Sequence, residues 1–311
     1  MSSQPDPILN LAVAIVSYRD KDNLAACLDS VIKTAGAHSI RIIVFDNNSK
    51  DGTVEMIRST FPQVMLIESP TNVGLTKGLN ACIKSAQCDY ILALDSDTIV
   101  TNGAIGSLLA FMQAHPEMGA VGGRLYYLNG ALQETARAFP TISNAIFGRH
   151  TFLGRLFPNH PARTRYLMAT FQNSNEWFEA EYVSAACIMM TKAAWQAIGG
   201  FDEEFFVYWC DADFCFRARR AGYKIACVPE ARVFHCEQFH PGRKKSHRMI
   251  VDFHKGAYQF YTKSYFAFRS HPMRLIAWLG LNLRMRWLLI LNAFKSGHSF
   301  RCAEQNPADV T

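Results

Sequence analysis

The chain has 311 residues, of which 49% are hydrophobic, and it carries a formal net charge of +6 at neutral pH. This length and apolar content support one large folded core with roughly eighty residues to spare, and they exclude a disordered chain. Its nine cysteines are odd in number and include no Cys-x-x-Cys pair, which is typical of reduced thiols in a cytosol and argues against a disulfide framework.

Strand and helix patterns alternate over the first hundred residues. Apolar runs over 11–16 and 90–94 predict buried strands, and the runs over 40–45 and 64–67 predict two further strands, the second of them short. Between them, apolar side chains at helical spacing predict helices over 24–32, 53–60 and 75–86. Alternation of this kind predicts a parallel, doubly wound sheet with right-handed crossovers.

Beyond residue 102 the alternation is less regular. The patterns predict an extended segment over 119–128, one strand over 182–190, and two strands over 223–228 and 232–235. Helices are predicted over 105–114, 192–198 and 211–221. Residues 129–178 have no clear period, so we expect long loops over one edge of the sheet, of the kind that form lids or binding surfaces.

Carboxylates follow two of the predicted strands. Asp46 ends the second strand, and Asp95 and Asp97 follow the fourth, where open sheets bind ligands. Crowded carboxylates repel each other, so a divalent cation that bridges to phosphates is one reason to keep both Asp95 and Asp97. The alternative is a helix start with acidic caps. Asp46 is expected to accept hydrogen bonds from a ribose or a base.

Further candidates lie in loops and at helix starts. Asn47, Asn48 and Ser49 follow Asp46 and would either cap the next helix or contribute to its site. The segment from Asn72 to Asn80 combines Gly74 and Gly78 with a helix N-terminus suited to an anion, which is weak support for a phosphate site.

A second group of acids opens the helix predicted over 211–221. Asp211 follows several aromatic residues, and the positive end of the helix would hold its carboxylate ionised. An ionised carboxylate in such a pocket is a candidate general base for a sugar hydroxyl. The alternative is that Asp211 and Asp213 are only favourable helix-start acids. His235, at the end of a predicted strand, is a candidate metal ligand.

Taken together and in order, these motifs resemble the family 2 glycosyltransferases over residues 11–240, and within them the bacterial rhamnosyltransferase branch. The resemblance implies a GT-A fold, an α/β architecture with a Rossmann-like, doubly wound mixed sheet and a C-terminal helical extension. It also implies inverting transfer of rhamnose or another hexose from a nucleotide-diphosphate sugar to a saccharide or lipid-linked saccharide, in O-antigen or cell-wall polysaccharide synthesis. The matching motifs are Val13 to Tyr18, Phe45 to Ser49 with Asp51 to Thr53, Asn72 with Gly74, Asp95 to Asp97, Gly200 to Phe206, and Asp211 with Asp213, Arg217, Gly222 and Tyr223.

The resemblance also implies roles for individual residues. Asp97 and His235 would bind Mg²⁺ or Mn²⁺, Asp211 would be the catalytic base, and Trp209 and Asp213 would contact the acceptor. Cys210 is a departure, because relatives usually carry Glu there, and Lys77 interrupts a stretch that is often smaller. The nucleotide-sugar would contact Ser17, Tyr18, Asp46, Asn48, Asn72, Gly74, Lys77, Asp95 and Ser96.

Two other functions remain open at this point. A sugar-phosphate nucleotidyltransferase also uses paired aspartates on a doubly wound sheet, although no Gly-rich basic phosphate loop follows the first predicted strand. A non-catalytic saccharide-binding homologue, inactivated by the change at Cys210, is the third possibility.

The last eighty residues form a basic segment. Residues 231–311 carry 13 basic and 4 acidic side chains, against 19 and 22 in residues 1–230, so we expect a catalytic domain over 1–245 and an anion-seeking extension over 246–311. Residues 274–295 are apolar and contain two tryptophans, but Arg284 and Arg286 make the apolar runs too short to span a bilayer.

Tryptophans and basic residues on an apolar helix suit the membrane interface. With the resemblance, the expected partner of the extension is therefore a phospholipid surface and not a nucleic acid. Packing against the catalytic domain, or against a second subunit in a homodimer, is the alternative. Residues 1–10 lack the basic segment of a secretory signal, so we expect a cytoplasmic protein bound peripherally to the inner face of the plasma membrane.

Overall fold

The computed structural model describes residues 11–35, 39–141, 156–157, 160–168, 170–171, 173–236, 246–266, 268 and 270–295. These residues form eleven strands and nine helices. The strands are β1 (Leu11–Ser17), β2 (Ile40–Asp46), β3 (Met65–Glu68), β4 (Tyr90–Asp95), β5 (Thr98–Val100), β6 (Met118–Tyr126), β7 (Ala136–Arg137), β8 (Phe178–Glu179), β9 (Tyr182–Val183), β10 (Cys187–Thr191) and β11 (Lys224–His235). The helices are α1 (Lys21–Thr34), α2 (Thr53–Thr60), α3 (Leu75–Ser85), α4 (Ala104–Ala114), α5 (Pro161–Tyr166), α6 (Lys192–Ala197), α7 (Cys210–Arg220), α8 (His247–Ser264) and α9 (Met273–Ala293).

Nine strands form one sheet in the order β3-β2-β1-β4-β10-β6-β11-β5, with β8 paired to β11. The first four of these strands are parallel to one another, as are β6 and β11, whereas β10 runs antiparallel to both β4 and β6. The predicted doubly wound α/β architecture is confirmed, and the sheet is mixed, as the resemblance implied. The four strands predicted from the alternating segment, β1 to β4, are parallel as expected, and the sheet is mixed because β5, β8 and β10 run antiparallel to their neighbours.

Both faces of the sheet are buried. Along β1, Leu11, Val13 and Ile15 pack on the face that α1, α2 and α4 cover, and Ala12 and Ala14 pack on the opposite face with α3 and α7. Side chains of a strand alternate between the two faces, so a continuous apolar run is the pattern expected of a strand buried on both sides. Burial on both faces explains why the first strands lie close to the bounds that their apolar runs predict.

The predicted strand over 182–190 is two strands, β9 and β10, so that prediction is wrong. The amide of Ser184 donates to the carbonyl of Thr135 at 3.0 Å, and the chain then turns before β10 begins. β9 pairs with β7 in a separate two-stranded sheet, whereas β10 lies in the main sheet. The residues of the turn, Ser184, Ala185 and Ala186, include no Gly or Pro, which are the residues that mark a break most clearly in a sequence.

Two further differences between the predicted and the observed strands lie next to the turn that carries Asp95 and Asp97. The predicted strands over 223–228 and 232–235 are one strand, β11, with an irregularity between Val228 and Arg232. The three-residue strand β5 was not predicted, because so short a run has no readable period. β5 pairs antiparallel with β11 and sets His235 opposite Thr98. This pairing brings His235 beside the turn that carries Asp95 and Asp97.

Helix α8 packs against α7 and against Trp209, the residue that precedes α7. Phe260 is fully buried in the core, and the indole N–H of Trp209 donates to the carbonyl of Phe253 at 3.0 Å. Gly256 permits this contact, because a Cβ there would lie 2.8 Å from the carbonyl oxygen of Tyr208. Helix α9 packs in turn on α8. The predicted domain boundary at residue 245 lies outside the described residues.

Candidate active site

The carboxyl ends of β1, β2 and β4 meet at one edge of the sheet. Ser17 lies opposite Asp46, and Val16 lies opposite Asp95. Ser17 and Asp46 are buried, and among the described residues neither Ser17 Oγ nor Asp46 Oδ1 has a hydrogen-bond partner. The other oxygen of Asp46 accepts a hydrogen bond from the amide of Ser49 at 3.2 Å. Buried polar atoms normally have a hydrogen-bond partner, so Ser17 Oγ and Asp46 Oδ1 are suited to bind a polar ligand.

Asp95, Asp97 and His235 form a possible metal site. One potential ligand atom from each side chain lies within 4.8 Å of the other two. Nε2 of His235 is 3.3 Å from Asp97 Oδ1 and 3.7 Å from Asp95 Oδ2. Two carboxylates suit Mg²⁺ or Mn²⁺, and an imidazole is compatible with Mn²⁺. The donor set therefore fits the predicted divalent cation, with Asp95 also within reach of it.

A third carboxylate, Asp20, lies next to this cluster. It accepts hydrogen bonds from Ser96 Oγ at 2.8 Å and from Asn23 Nδ2 at 2.6 Å. Burial raises the pKa of Asp20 to about 6; the Ser96 hydrogen bond opposes this shift and the charge of Asp97 adds to it. Asp20 was not predicted from the sequence, although it lies three residues beyond the end of β1, in the region where open sheets bind ligands.

Asp211 lies in the first turn of α7. Burial raises the pKa of its carboxyl, and this effect outweighs the amide of Ala212, which donates to Asp211 Oδ1 at 2.8 Å, and the guanidinium of Arg137. The expected effect of the helix end is therefore outweighed by desolvation. A carboxylate with a raised pKa is a stronger base than an exposed one.

The turn between β9 and β10 lies beside both Asp211 and Asp95. The amide of Ala185 favours the ionised form of Asp211, while the carbonyl of Ala186 accepts a hydrogen bond from the Asp95 amide at 3.2 Å. Consecutive residues of one turn thus contact the candidate base and the first acid of the metal cluster. The strand break that the sequence did not reveal is what allows this arrangement.

The Arg137 guanidinium and the Tyr182 phenol lie near Asp211, and a second phenol, that of Tyr166, contacts the first. Arg137 on β7 lies opposite Tyr182 on β9, and the hydroxyls of Tyr182 and Tyr166 are 2.9 Å apart. The side chain of Arg137 is about a quarter exposed, and its Nη2 lies 3.8 Å from Glu134 Oε2. Part of the segment predicted as long loops is therefore ordered, and it supplies a positive charge near the candidate base.

Three residues at the start of α7, namely Trp209, Cys210 and Asp213, have partners inside the protein. Asp213 is 2% exposed and pairs with Arg217 at 2.7 Å, and Trp209 is held by α8 as described above. Cys210 donates to the carbonyl of Val207 at 3.1 Å, and burial raises the pKa of its thiol. The roles of Asp213 and Trp209 in acceptor binding stay predictions.

The start of α3 is covered by another loop. Gly74 has a φ of +93°, and a Cβ on it would lie 2.5 Å from the carbonyl oxygen of Phe206. That oxygen accepts a hydrogen bond from the amide of Leu75 at 2.7 Å, so one N–H that a phosphate would use is already paired. Asn47 joins this loop to β2, because it accepts from the Val73 amide at 2.7 Å and donates to Gly74 at 3.1 Å.

The remaining predicted nucleotide contacts surround the same edge. Tyr18 is 42% exposed, with the Arg19 guanidinium over its ring. Asn72 accepts a hydrogen bond from the Gly74 amide at 3.1 Å, Asn48 adopts a φ of +63°, and Lys77 is exposed. Helix α2 begins after Gly52 and has no side-chain cap, so the Asn47–Ser49 segment does not cap it.

Comparison with solved structures identifies the class of fold. The chain is similar to a mannosyltransferase of Pyrobaculum calidifontis in complex with GDP-Man and Mn²⁺, with a TM-score of 0.57 at 15% identity over 94% of this chain and 75% of that one. It is also similar to GalNAc-T7 with UDP, GalNAc and Mn²⁺, with a TM-score of 0.59 at 14% identity over 93% and 57% of the two chains. The protein thus has the GT-A fold of glycosyltransferases, as predicted.

A model of the family described as glycosyl transferase family 2 matches residues 12–194, and the chain belongs to that family. It is 27% identical over 277 residues to an N-acetylglucosaminyl-diphospho-decaprenol L-rhamnosyltransferase of Mycobacterium tuberculosis, covering 85% of this chain and 88% of the relative. It is 25% identical over 231 residues to the O-antigen biosynthesis protein RfbC of Myxococcus xanthus, covering 72% of this chain and 17% of that protein.

Proposed function

We propose that this glycosyltransferase moves L-rhamnose, with inversion and with a divalent cation, from a nucleotide-diphosphate sugar to a lipid-linked saccharide in bacterial polysaccharide synthesis. The observation that carries the proposal is the turn of Ala185 and Ala186, which joins Asp211 to the cluster of Asp95, Asp97 and His235. The names of the Mycobacterium and Myxococcus relatives support the sugar, the acceptor and the process.

The residues of the site divide the reaction between them. Ser17 Oγ and Asp46 Oδ1 are suited to hydrogen-bond the nucleoside, while Asp95, Asp97 and His235 would hold Mg²⁺ or Mn²⁺. A cation bound there supplies charge neutralisation for the diphosphate. Membership of the family favours this transfer over nucleotidyl transfer, and the intact Asp211 favours an enzyme over a binding module.

In the reaction itself, Asp211 accepts the proton of the acceptor hydroxyl as the hydroxyl oxygen bonds to the anomeric carbon. The bond from that carbon to the phosphate oxygen breaks, and the nucleoside diphosphate leaves with the bonding electrons. Burial raises the pKa of Asp211, which strengthens it as a base. The charge of the Arg137 guanidinium favours the ionised carboxylate and so opposes part of this rise in pKa.

The first test is release of nucleoside diphosphate from nucleotide-rhamnose mixed with an N-acetylglucosaminyl-diphospho-lipid. We expect release that depends on Mn²⁺ or Mg²⁺ and a product with the inverted anomeric configuration. Release of pyrophosphate would indicate nucleotidyl transfer instead. Binding of the nucleotide-sugar with no release of either product would indicate a binding module.

The same proposal includes binding of α9 to an anionic phospholipid surface, where a lipid-linked acceptor lies. Among the described residues, no helix is long and apolar enough to cross a membrane. Arg284 is half-buried and Arg286 is exposed, so only one of the two arginines interrupts the outer face of α9. The exposed apolar side chains on α9 are Leu275, Ile276, Trp278, Leu279, Leu283, Trp287, Ile290 and Leu291, each between 41% and 67% exposed.

We expect the full chain to float with vesicles that contain phosphatidylglycerol. A variant that carries Leu279→Gln, Leu283→Gln and Trp287→Gln should bind them about 10³-fold more weakly or worse, because each of the three buried apolar side chains contributes about 1.5–3 kcal/mol. Met65→Gln, at an exposed apolar residue on β3, is the matched control and should bind as wild type does. Equal flotation of the triple variant and wild type would rule out α9 as the membrane contact.

A further inference from the structure

Gln133 lies between β6 and β7 and contacts His235 with both ends of its side chain. Its Nε2 donates to the backbone carbonyl of His235 at 2.8 Å, and its Oε1 is 3.0 Å from the ring nitrogen Nδ1. Gln133 is only 6% exposed, and its backbone amide donates to the carbonyl of Leu125 at 2.9 Å. The backbone of Gln133 is therefore anchored to the end of β6, while its side chain holds His235 at the end of the neighbouring strand β11.

The direction of these two hydrogen bonds fixes where the imidazole carries its proton. A backbone carbonyl only accepts, so the end of the Gln133 carboxamide that faces it is the nitrogen. The amide oxygen then faces Nδ1 of His235, and it too only accepts, so Nδ1 carries the hydrogen. In the neutral ring, Nε2 then carries a lone pair and no hydrogen.

That lone pair lies on the side of the ring that faces the carboxylates. Nε2 is the atom found 3.3 Å from Asp97 and 3.7 Å from Asp95. The opposite tautomer would direct an N–H toward the position of a cation and would leave two lone pairs facing each other at Gln133. Metal-binding histidines are oriented in this manner by a partner on their other nitrogen.

We propose that Gln133 is a positioning residue that fixes the ring and tautomer of His235 so that Nε2 binds the divalent cation. This inference rests on the proposed metal-dependent function and extends it to a residue that lies outside the cation site. Gln133 comes from the segment between β6 and β7 and His235 from the end of β11. The cation site is thus coupled to the fold of the segment that also carries Arg137.

The experiment compares Gln133→Met with wild type in the full chain. Methionine has a similar volume and makes neither hydrogen bond, so we expect Mn²⁺ affinity, measured by the electron paramagnetic resonance of free Mn²⁺ with nucleoside diphosphate present, to fall 10- to 100-fold. The ¹⁵N spectrum of His235 in metal-free protein should show Nδ1 protonated in wild type and a mixture of tautomers in the variant. A solely structural role would leave that spectrum unchanged.

Two further variants separate the possible outcomes. Gln259→Met, which removes a glutamine that donates to the Glu204 carbonyl on another surface, should bind Mn²⁺ as wild type does. Gln133→Glu keeps an acceptor for Nδ1–H and loses the donor, so its ¹⁵N spectrum should stay like that of wild type; it also serves if Gln133→Met does not fold. Unchanged Mn²⁺ affinity and tautomer in Gln133→Met, or a mixture of tautomers in Gln133→Glu, would overturn the inference alone, whereas no Mn²⁺ binding by wild type would overturn the proposed metal dependence together with it.

Discussion

Replacement of Asp211 by asparagine is expected to lower the turnover of glycosyl transfer by about 10²- to 10⁴-fold, the range that a positioned general base contributes. Asparagine has nearly the same shape and can still accept the hydrogen bond from the Ala212 amide, so the fold should persist. It cannot accept the proton of the acceptor hydroxyl. The measurement is the initial rate of nucleoside diphosphate release at saturating donor and acceptor.

The pH profile gives an independent check on the same residue. Because burial raises the pKa of Asp211 and the base acts when ionised, wild-type turnover should fall with decreasing pH at values above the usual range of an aspartate. This acid limb should be absent from Asp211→Asn. Asp22→Asn, at an exposed acid in the first turn of α1, is the matched control and should behave as wild type. Turnover of Asp211→Asn within about tenfold of wild type would remove Asp211 from the role of base.

Replacement of Asp97 by asparagine should affect the cation and not the base. The change removes one negative oxygen from the cluster that Asp97 forms with Asp95 and His235, and charge neutralisation at phosphates is worth several kcal/mol. We expect transfer at a fixed, low Mn²⁺ concentration to fall by about 10²-fold or more. The measurement is the dependence of the transfer rate on Mn²⁺ concentration.

High Mn²⁺ should restore part of the activity of Asp97→Asn, because the other two ligand residues remain. Asp29→Asn, at an exposed acid on α1, should leave the Mn²⁺ dependence unchanged. If Asp97→Asn required no more Mn²⁺ than wild type does, the cluster would not be the cation site.

The sequence predicts most of the early strands and helices because their apolar residues form either a continuous run or a regular face. β1 is buried almost without interruption and the buried residues of α1 recur at helical spacing, so length and spacing alone locate both. The turn at Ser184–Ala186 and the three-residue β5 have no such period, and both depend on pairing with distant strands. The three-residue β5 brings His235 beside Asp95 and Asp97, and the turn brings Asp211 to the same end of β4.

In the candidate site, too, some residues could be predicted from a local pattern and others depend on contacts between distant parts of the chain. Asp46 and Asp95 could be found because strand ends are a general location for ligands, and Asp20 obeys the same rule. Gln133 and Arg137 could not be found, since each lies in a segment without periodicity and acts through residues far away in the sequence. The geometry also gives Asp213 an internal partner, Arg217, which the spacing of the two acids did not indicate, although Arg217 lies four residues further along the same helix.

In the proposed reaction, Asp95 and Asp97 bind the cation, whereas Asp211 accepts the proton of the acceptor hydroxyl. The most direct measurement is Mn²⁺-dependent binding of nucleoside diphosphate by Asp211→Asn and Asp97→Asn, followed side by side by calorimetry. We expect near wild-type affinity in Asp211→Asn, although it transfers sugar far more slowly, and strongly weakened affinity in Asp97→Asn. Equal affinities in the two variants, whether both retained or both lost, would rule out this division of roles.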